Sequence, residues 1–218
     1  TQQTLEPTQV AGFNQFYDDE ELTKGWRYGA AIDQKFSDSL YGGLEVSRRE
    51  LEVPYLDFTV DPESPPTEES DWDEDMVRAY AYWAPHDWLA LRAEYMYEKL
   101  DRDEPYVEGV VESDTHKVPL GVNLFHPSGL SASLTATYYN QDGEFGGFYN
   151  TDPIEDGDDD FWTVDVAVRY RLPKRYGFIT VGATNLFDKD FKYYDSDLNN
   201  ASIQPDRVIF AGINLALP

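Results

Sequence analysis

The chain has no cysteine, which removes a disulfide framework and all thiolate chemistry, catalytic or metal-binding. It has no apolar run near the roughly 18 residues of a membrane helix, and its mean hydropathy is -0.59. Cations are scarce: 17 Lys and Arg stand against 42 Asp and Glu, a net charge of -25. That balance argues against nucleic acid or an anionic lipid surface as a partner, since both demand a cationic face. Cations and cationic ligands remain compatible with it. No Gly-x-Ser-x-Gly, P-loop or dinucleotide fingerprint occurs, so hydrolase, nucleotide and redox functions have no anchor. The start Thr1-Gln2-Gln3-Thr4 lacks the basic and apolar regions of a signal peptide, so the chain reads as mature or as a fragment.

What the chain does have is strict alternation. Leu130, Ala132, Leu134, Ala136 and Tyr138 interleave with Ser131, Ser133, Thr135, Thr137 and Tyr139, a two-residue period that only a strand produces. Ten strands are expected, near 8–16, 25–36, 40–50, 75–84, 88–98, 115–125, 130–140, 161–172, 178–187 and 207–217, after a lead-in over 1–7. Each is close to the roughly 9–11 residues that cross a bilayer at a tilt. Barrels escape hydropathy tests because every second strand residue is free to be polar. The expected fold is therefore all-β, an antiparallel up-and-down transmembrane β-barrel occupying residues 1–218 as one domain, whole or part of a larger barrel.

Charges keep to one parity of these strands. Arg27, Asp33, Lys35, Glu45, Arg49, Arg92, Glu94, Asp165, Arg169 and Arg171 fall on the side opposite Trp26, Ile32, Leu91, Val164 and Val168. A charge facing hydrocarbon near the midplane costs several kcal/mol, so the charged parity is assigned to the barrel lumen. In a large barrel these residues line a translocation path. In a closed ten-stranded one they form a buried ion-pair network, because isolated charges there are too costly. A half-exposed soluble sheet also sorts its charges this way.

The connections separate the two. Residues 37–39, 85–87, 126–129 and 173–177 are short and carry turn formers, whereas 17–24, 51–74, 99–114, 141–160 and 188–206 are longer and mostly acidic. Short joins at one end and long loops at the other are the outer-membrane pattern, with long loops extracellular and both termini periplasmic. Trp26, Tyr28, Tyr97, Tyr138 and Trp162 then fall near the outer rim, and Phe36, Trp83, Tyr170 and Phe178 near the inner one, as interfacial girdles require. Outer-membrane lipid and lipopolysaccharide are the implied surroundings.

Two loop features carry candidate binding chemistry. Asp156, Asp158, Asp159 and Asp160 are hard oxygen ligands of the kind calcium prefers, without the EF-hand spacing; a solvated acidic loop is the plainer explanation of them. Trp72, Tyr106, Phe145, Phe148, Tyr149, Tyr193 and Tyr194 are placed to grip a flat or hydrophobic small-molecule ligand, or to pack the loops on each other. An enzyme is the rival class, since Asp114-Thr115-His116 offers a general-base pair at the outer rim, as in ten-stranded outer-membrane proteases. His86 and His126 lie at the opposite end, so the histidines cannot share one metal. The expectation is that the chain is not an enzyme.

The C-terminal end carries a resemblance. Asn185-Leu186-Phe187-Asp188-Lys189 on the penultimate strand, followed by a polar loop and then Pro205-Asp206-Arg207 before a last alternating strand, resembles the end of TonB-dependent outer-membrane receptors. The likeness covers about residues 160–218. It implies uptake of a scarce ligand, energised by a periplasmic partner. Those receptors have about 22 strands and a plug, so the resemblance is to a C-terminal barrel portion or to a plug-less relative, such as a structural or export-associated barrel on a periplasmic scaffold.

Overall fold

The computed structural model describes residues 3–10, 13–17, 22–103, 109–146, 154–191 and 206–215. Its strands are β1 (Gln3–Val10), β2 (Phe13–Tyr17), β3 (Lys24–Lys35), β4 (Leu40–Leu56), β5 (Thr67–His86), β6 (Leu89–Arg102), β7 (Gly109–Phe125), β8 (Leu130–Gly146), β9 (Glu155–Arg171), β10 (Gly177–Thr184) and β11 (Val208–Leu215). β3 to β11 form one nine-stranded sheet in which every strand pairs antiparallel with its sequence neighbours. Up-and-down order is what hydrogen-bonded hairpins give when no connection must cross over the sheet. The sheet is open, with β3 and β11 as its edges, and both edges run from the long-loop end to the short-turn end.

The expected strand near 8–16 is not part of this sheet. β2 pairs instead with β1, Val10 facing Phe13, in a separate two-stranded sheet. Ten strands in one barrel thus become nine in an open sheet, with a hairpin beside them.

The strands also outrun expectation. β5 spans 20 residues and β4, β7, β8 and β9 span 17 each, so much of the supposed loop sequence continues the ladder. Asp73 faces Glu50, and Asp158 faces Asp142, within unbroken registers. Opposed carboxylates disfavour pairing. Two things offset this at the long-loop end. Arg48 reaches Asp73 at 2.7 Å, Asp75 at 3.2 Å and Glu50 at 3.4 Å, and the opposite face of the same segments is packed. There Leu51, Val53 and Trp72 form one buried cluster, Met76, Met96, Leu100, Val110 and Phe145 a second, and Tyr139 and Phe161 a third under Phe191.

At the other end the connections are tight. The amides of Phe36 and Ser37 both donate to the Leu40 carbonyl, at 2.9 and 3.0 Å, and that of His126 to Leu130 at 2.8 Å. Gly43 on β4 is needed for a close approach: a Cβ there would stand 2.7 Å from the Tyr80 ring, which crosses it to donate its phenol to Asp33.

Candidate functional site

Register divides the sheet into a polar and an apolar face. All ten charged residues expected to line a lumen share the polar face: Arg27 faces Arg49, Asp33 faces Gly43, Lys35 faces Tyr41, and Glu45 faces Arg78. Likewise Arg92 faces Tyr82, Glu94 faces Tyr80, Asp165 faces Thr135, Arg169 faces Ser131, and Arg171 faces Phe178.

They do not act alone. Arg49 Nη1 meets Glu74 Oε2 at 2.7 Å, with side chains only 7% and 10% exposed. Arg78 donates to Glu94 Oε2 at 3.1 Å, the Tyr82 hydroxyl to Glu94 Oε1 at 2.6 Å, and Arg92 to the Thr135 hydroxyl at 3.4 Å. Asp165 accepts the Asn185 amide at 2.9 Å. Glu94 therefore anchors a strip of cations and hydroxyls across β5, β6 and β8. Sequence reasoning missed Glu74, Arg78, Tyr80 and Tyr82. The even parity of β5 was the available signal for the last three, and Glu74 fell in a supposed loop.

The apolar face holds a band without a single Asp, Glu, Lys, Arg or His on its nine strands. From loop end to turn end it reads Trp26 to Ile32, Val46 to Leu40, Val77 to Trp83, Tyr97 to Leu89, Val118 to Leu124, Tyr138 to Leu130 and Trp162 to Tyr170, then Ala183 to Ile179 and Ile209 to Leu215. Much of it is uncovered: Trp26 is 73% exposed, Ile32 64%, Val181 51% and Ile213 69%. Phe178, expected in the inner girdle, is not on this face. It pairs with Arg171, and the Arg169 guanidinium sits 4.6 Å from its ring centroid; the register gives the apolar position to Ile179.

Beyond that band the same face turns acidic, with Glu50, Asp71, Asp73, Asp101, Asp114, Asp142, Asp156, Asp158 and Asp160 on the consecutive strands β4 to β9. Lys24 lies here, 2.8 Å from Glu69, whose carboxylate raises the lysine above its ordinary value.

The expected loop sites fare differently. Trp72 and Phe145 are strand residues on the polar face, 2% and 1% exposed. The Arg102 guanidinium lies 3.8 Å over the Trp72 ring, and the indole donates to Ser70 at 3.1 Å. Tyr106, Phe148, Tyr149, Tyr193, Tyr194 and Pro205 lie outside the described residues. Asp156, Asp158 and Asp160 project from one face of β9 and Asp159 from the other, opposite Gln141. Among the described residues no three His, Asp or Glu side chains converge so as to hold a metal ion.

Asp114 and His116 share a face without forming a pair. His116 Nδ1 bonds the Tyr95 hydroxyl at 2.8 Å, and Asp114 accepts from Tyr97.

The Asn-Leu-Phe-Asp-Lys stretch builds a knot at the top of β10. Asn185 and Asp188 take positive φ of 45° and 57°. The Asn185 side chain accepts from the Lys189 amide and donates to the Lys189 carbonyl, both at 3.0 Å. Asp188 accepts the Arg207 amide at 2.8 Å and faces its guanidinium at 3.6 Å. Leu186 donates to Val164 at 2.7 Å, while Phe187 is 73% exposed. These residues fix the exit of β10 to the entry of β11.

Comparison of the chain with protein-family models, with curated proteins and with solved structures found no match.

Proposed function

We propose that this chain is wall of an outer-membrane β-barrel, its apolar face against hydrocarbon and its polar face inside, in a barrel that takes up a scarce ligand by a TonB-dependent-like route. One observation carries the membrane part: the charge-free band crosses all nine strands and is largely uncovered. Soluble monomers rarely expose contiguous apolar patches above a few hundred Å², and a sheet layer in water buries one face against another layer. Along β8 the band runs from Leu130 to Tyr138, roughly 26 Å at 3.3 Å per residue. Tilted, that approaches the height of a barrel's apolar belt.

The uptake part is supported by the C-terminal resemblance and by the ion-paired, hydroxyl-lined polar face. A structural or export-associated barrel is the second reading. It is favoured by the packing of the polar face at the loop end, where Val53, Trp72, Leu100 and Phe145 are all 2% exposed or less and would narrow any passage.

Brominated phospholipid in reconstituted vesicles tests the first part. Tryptophans of the band are expected to be quenched, and a chain that stays monodisperse without detergent and unquenched refutes it. Ligand accumulation that depends on a periplasmic energising protein separates uptake from the structural alternative.

A further inference from the structure

Two short turns meet side by side at the turn end of the sheet, because β6 pairs with β7. Leu89 faces Leu124, and the Phe125 amide donates to the Trp88 carbonyl at 2.9 Å. A groove of about 740 Å³ opens there. Its walls include Leu124, Leu130 and Ala132, which belong to the charge-free band, and Asp87 and His126, which follow the strand ends beyond it. Trp88 stands at the border, half-exposed, with the His86 ring stacked on it at 5.4 Å.

The two polar groups of this one groove have opposite roles. Asp87 is exposed, and among the described residues no cation pairs with it. His126 Nδ1 accepts the Ser128 amide at 3.2 Å and lies 2.8 Å from the Ser128 hydroxyl. A backbone amide can only donate, so the neutral ring carries its proton on Nε2. The groove thus offers a carboxylate and an N–H donor beyond the band, and hydrocarbon walls within it. No Lys or Arg lines it, so an anionic head would meet Asp87 with nothing to offset the repulsion. A head with both an ammonium and a phosphate fits.

We propose that the groove holds a zwitterionic phospholipid with a primary ammonium head, a phosphatidylethanolamine. Its ammonium lies on Asp87, its phosphate accepts from His126 Nε2, and an acyl chain runs over Leu124, Leu130 and Ala132. The inference rests on the membrane reading proposed above and adds one lipid class at one place on the band. Composition agrees with it: a net charge of -25 disfavours an anionic lipid surface, whereas this head brings no net charge.

The test titrates the full chain in nonionic detergent micelles with phosphatidylethanolamine, phosphatidylcholine and phosphatidylglycerol of matched acyl chains, counting retained lipids by native mass spectrometry. An exposed ion pair contributes up to about fivefold in affinity. Phosphatidylethanolamine is therefore expected to be favoured about fivefold over phosphatidylcholine, whose ammonium has no N–H for Asp87, and over phosphatidylglycerol, which has no cation. Asp87→Asn should reduce it to the level of phosphatidylcholine, and Asp87→Glu should keep the preference. Ala132→Phe fills the groove without touching Asp87, so it should weaken retention of both lipids alike. Equal retention of the three lipids by the parent, an unchanged preference in Asp87→Asn, or unchanged retention in Ala132→Phe overturns the proposal. So does a dimer free of lipid, which would make a second copy the occupant. Brominated phosphatidylcholine separates the two levels of inference. Tryptophan quenching without headgroup preference sinks only the lipid site, and absence of quenching sinks the membrane reading with it.

Discussion

Leu134→Arg is the substitution on which water and hydrocarbon disagree most. Leu134 lies mid-band on β8, between Val122 and Val166 across the ladder, and is 44% exposed. It stands four residues from Leu130 and four from Tyr138, about 13 Å along the strand from either border. If water bathed this face, an exposed leucine exchanged for arginine would change stability by about 0.5 kcal/mol or less. At the midplane of a barrel's lipid face the same change costs about 2–4 kcal/mol. Asn140→Arg provides the depth control: it is six residues nearer the loop end, on the same face, with Asp160 as its partner on β9. There the cost falls to ~0–1 kcal/mol, and the acidic surroundings push it toward zero. Reversible denaturant unfolding in large vesicles, followed by tryptophan fluorescence, measures both. A Leu134→Arg variant within ~0.5 kcal/mol of the parent, or no difference between the two positions, refutes a hydrocarbon-facing band.

Three further outcomes follow from other sites. Glu74→Leu leaves the buried Arg49 guanidinium without its 2.7 Å partner, for an expected loss of about 3–5 kcal/mol, while Arg49→Met/Glu74→Leu should stay within about 1 kcal/mol of the parent; denaturation of the two variants checks this. Asn185→Ala removes both bonds to Lys189 and places alanine at φ 45°, so about 1–3 kcal/mol should be lost, with faster amide exchange at Leu186 and Asp188. At the β4–β5 connection the Thr59 hydroxyl and amide donate to Asp57 at 2.6 and 2.8 Å and hold its carboxyl below the ordinary value. A depressed folded-state pKa means that this contribution is present above the unfolded pKa and fades as pH falls through the folded one. An NMR titration should show Asp57 protonating late on acidification, and Thr59→Ala, which removes the hydroxyl but keeps the amide donor, should move it part of the way back toward the usual carboxylate range.

How much of this was readable from sequence varied along each strand. Mid-strand it was nearly complete, because the apolar set at Leu130 to Tyr138 or Trp162 to Tyr170 alternates cleanly and any slip by one residue would invert it. The strand ends were not readable. Asp71 to Asp75 and Asp156 to Asp160 look like loop, since aspartate is depleted in strands. The first ladder persists because Arg48 ties Glu50, Asp73 and Asp75 together and Trp72 and Leu100 pack behind it, the second because Phe145 and Phe161 pack behind it, and none of these contacts follows from local pattern. For the same reason Trp72 and Phe145 looked like exposed loop aromatics. The N-terminal alternation does not belong to the large sheet: Thr8 to Phe16 contains Gly12, a turn former, and the structure pairs β1 with β2 on either side of that position.

Strand direction adds a constraint that neither face supplies. With nine antiparallel strands the edges β3 and β11 run the same way, so joining them directly would create one parallel pair in an otherwise antiparallel wall. Unpaired edge amides and carbonyls in hydrocarbon cost several kcal/mol each, and on the membrane reading proposed above both edges would lie in that medium. Closure of an all-antiparallel wall therefore needs an odd number of further strands, the nearest of them running from the turn end to the loop end beside β3. A strand preceding β3 in an up-and-down chain has that direction. On that reading an odd number of further strands would bring the nine of this sheet to the even number expected of a membrane barrel, and would leave no edge group unpaired in lipid.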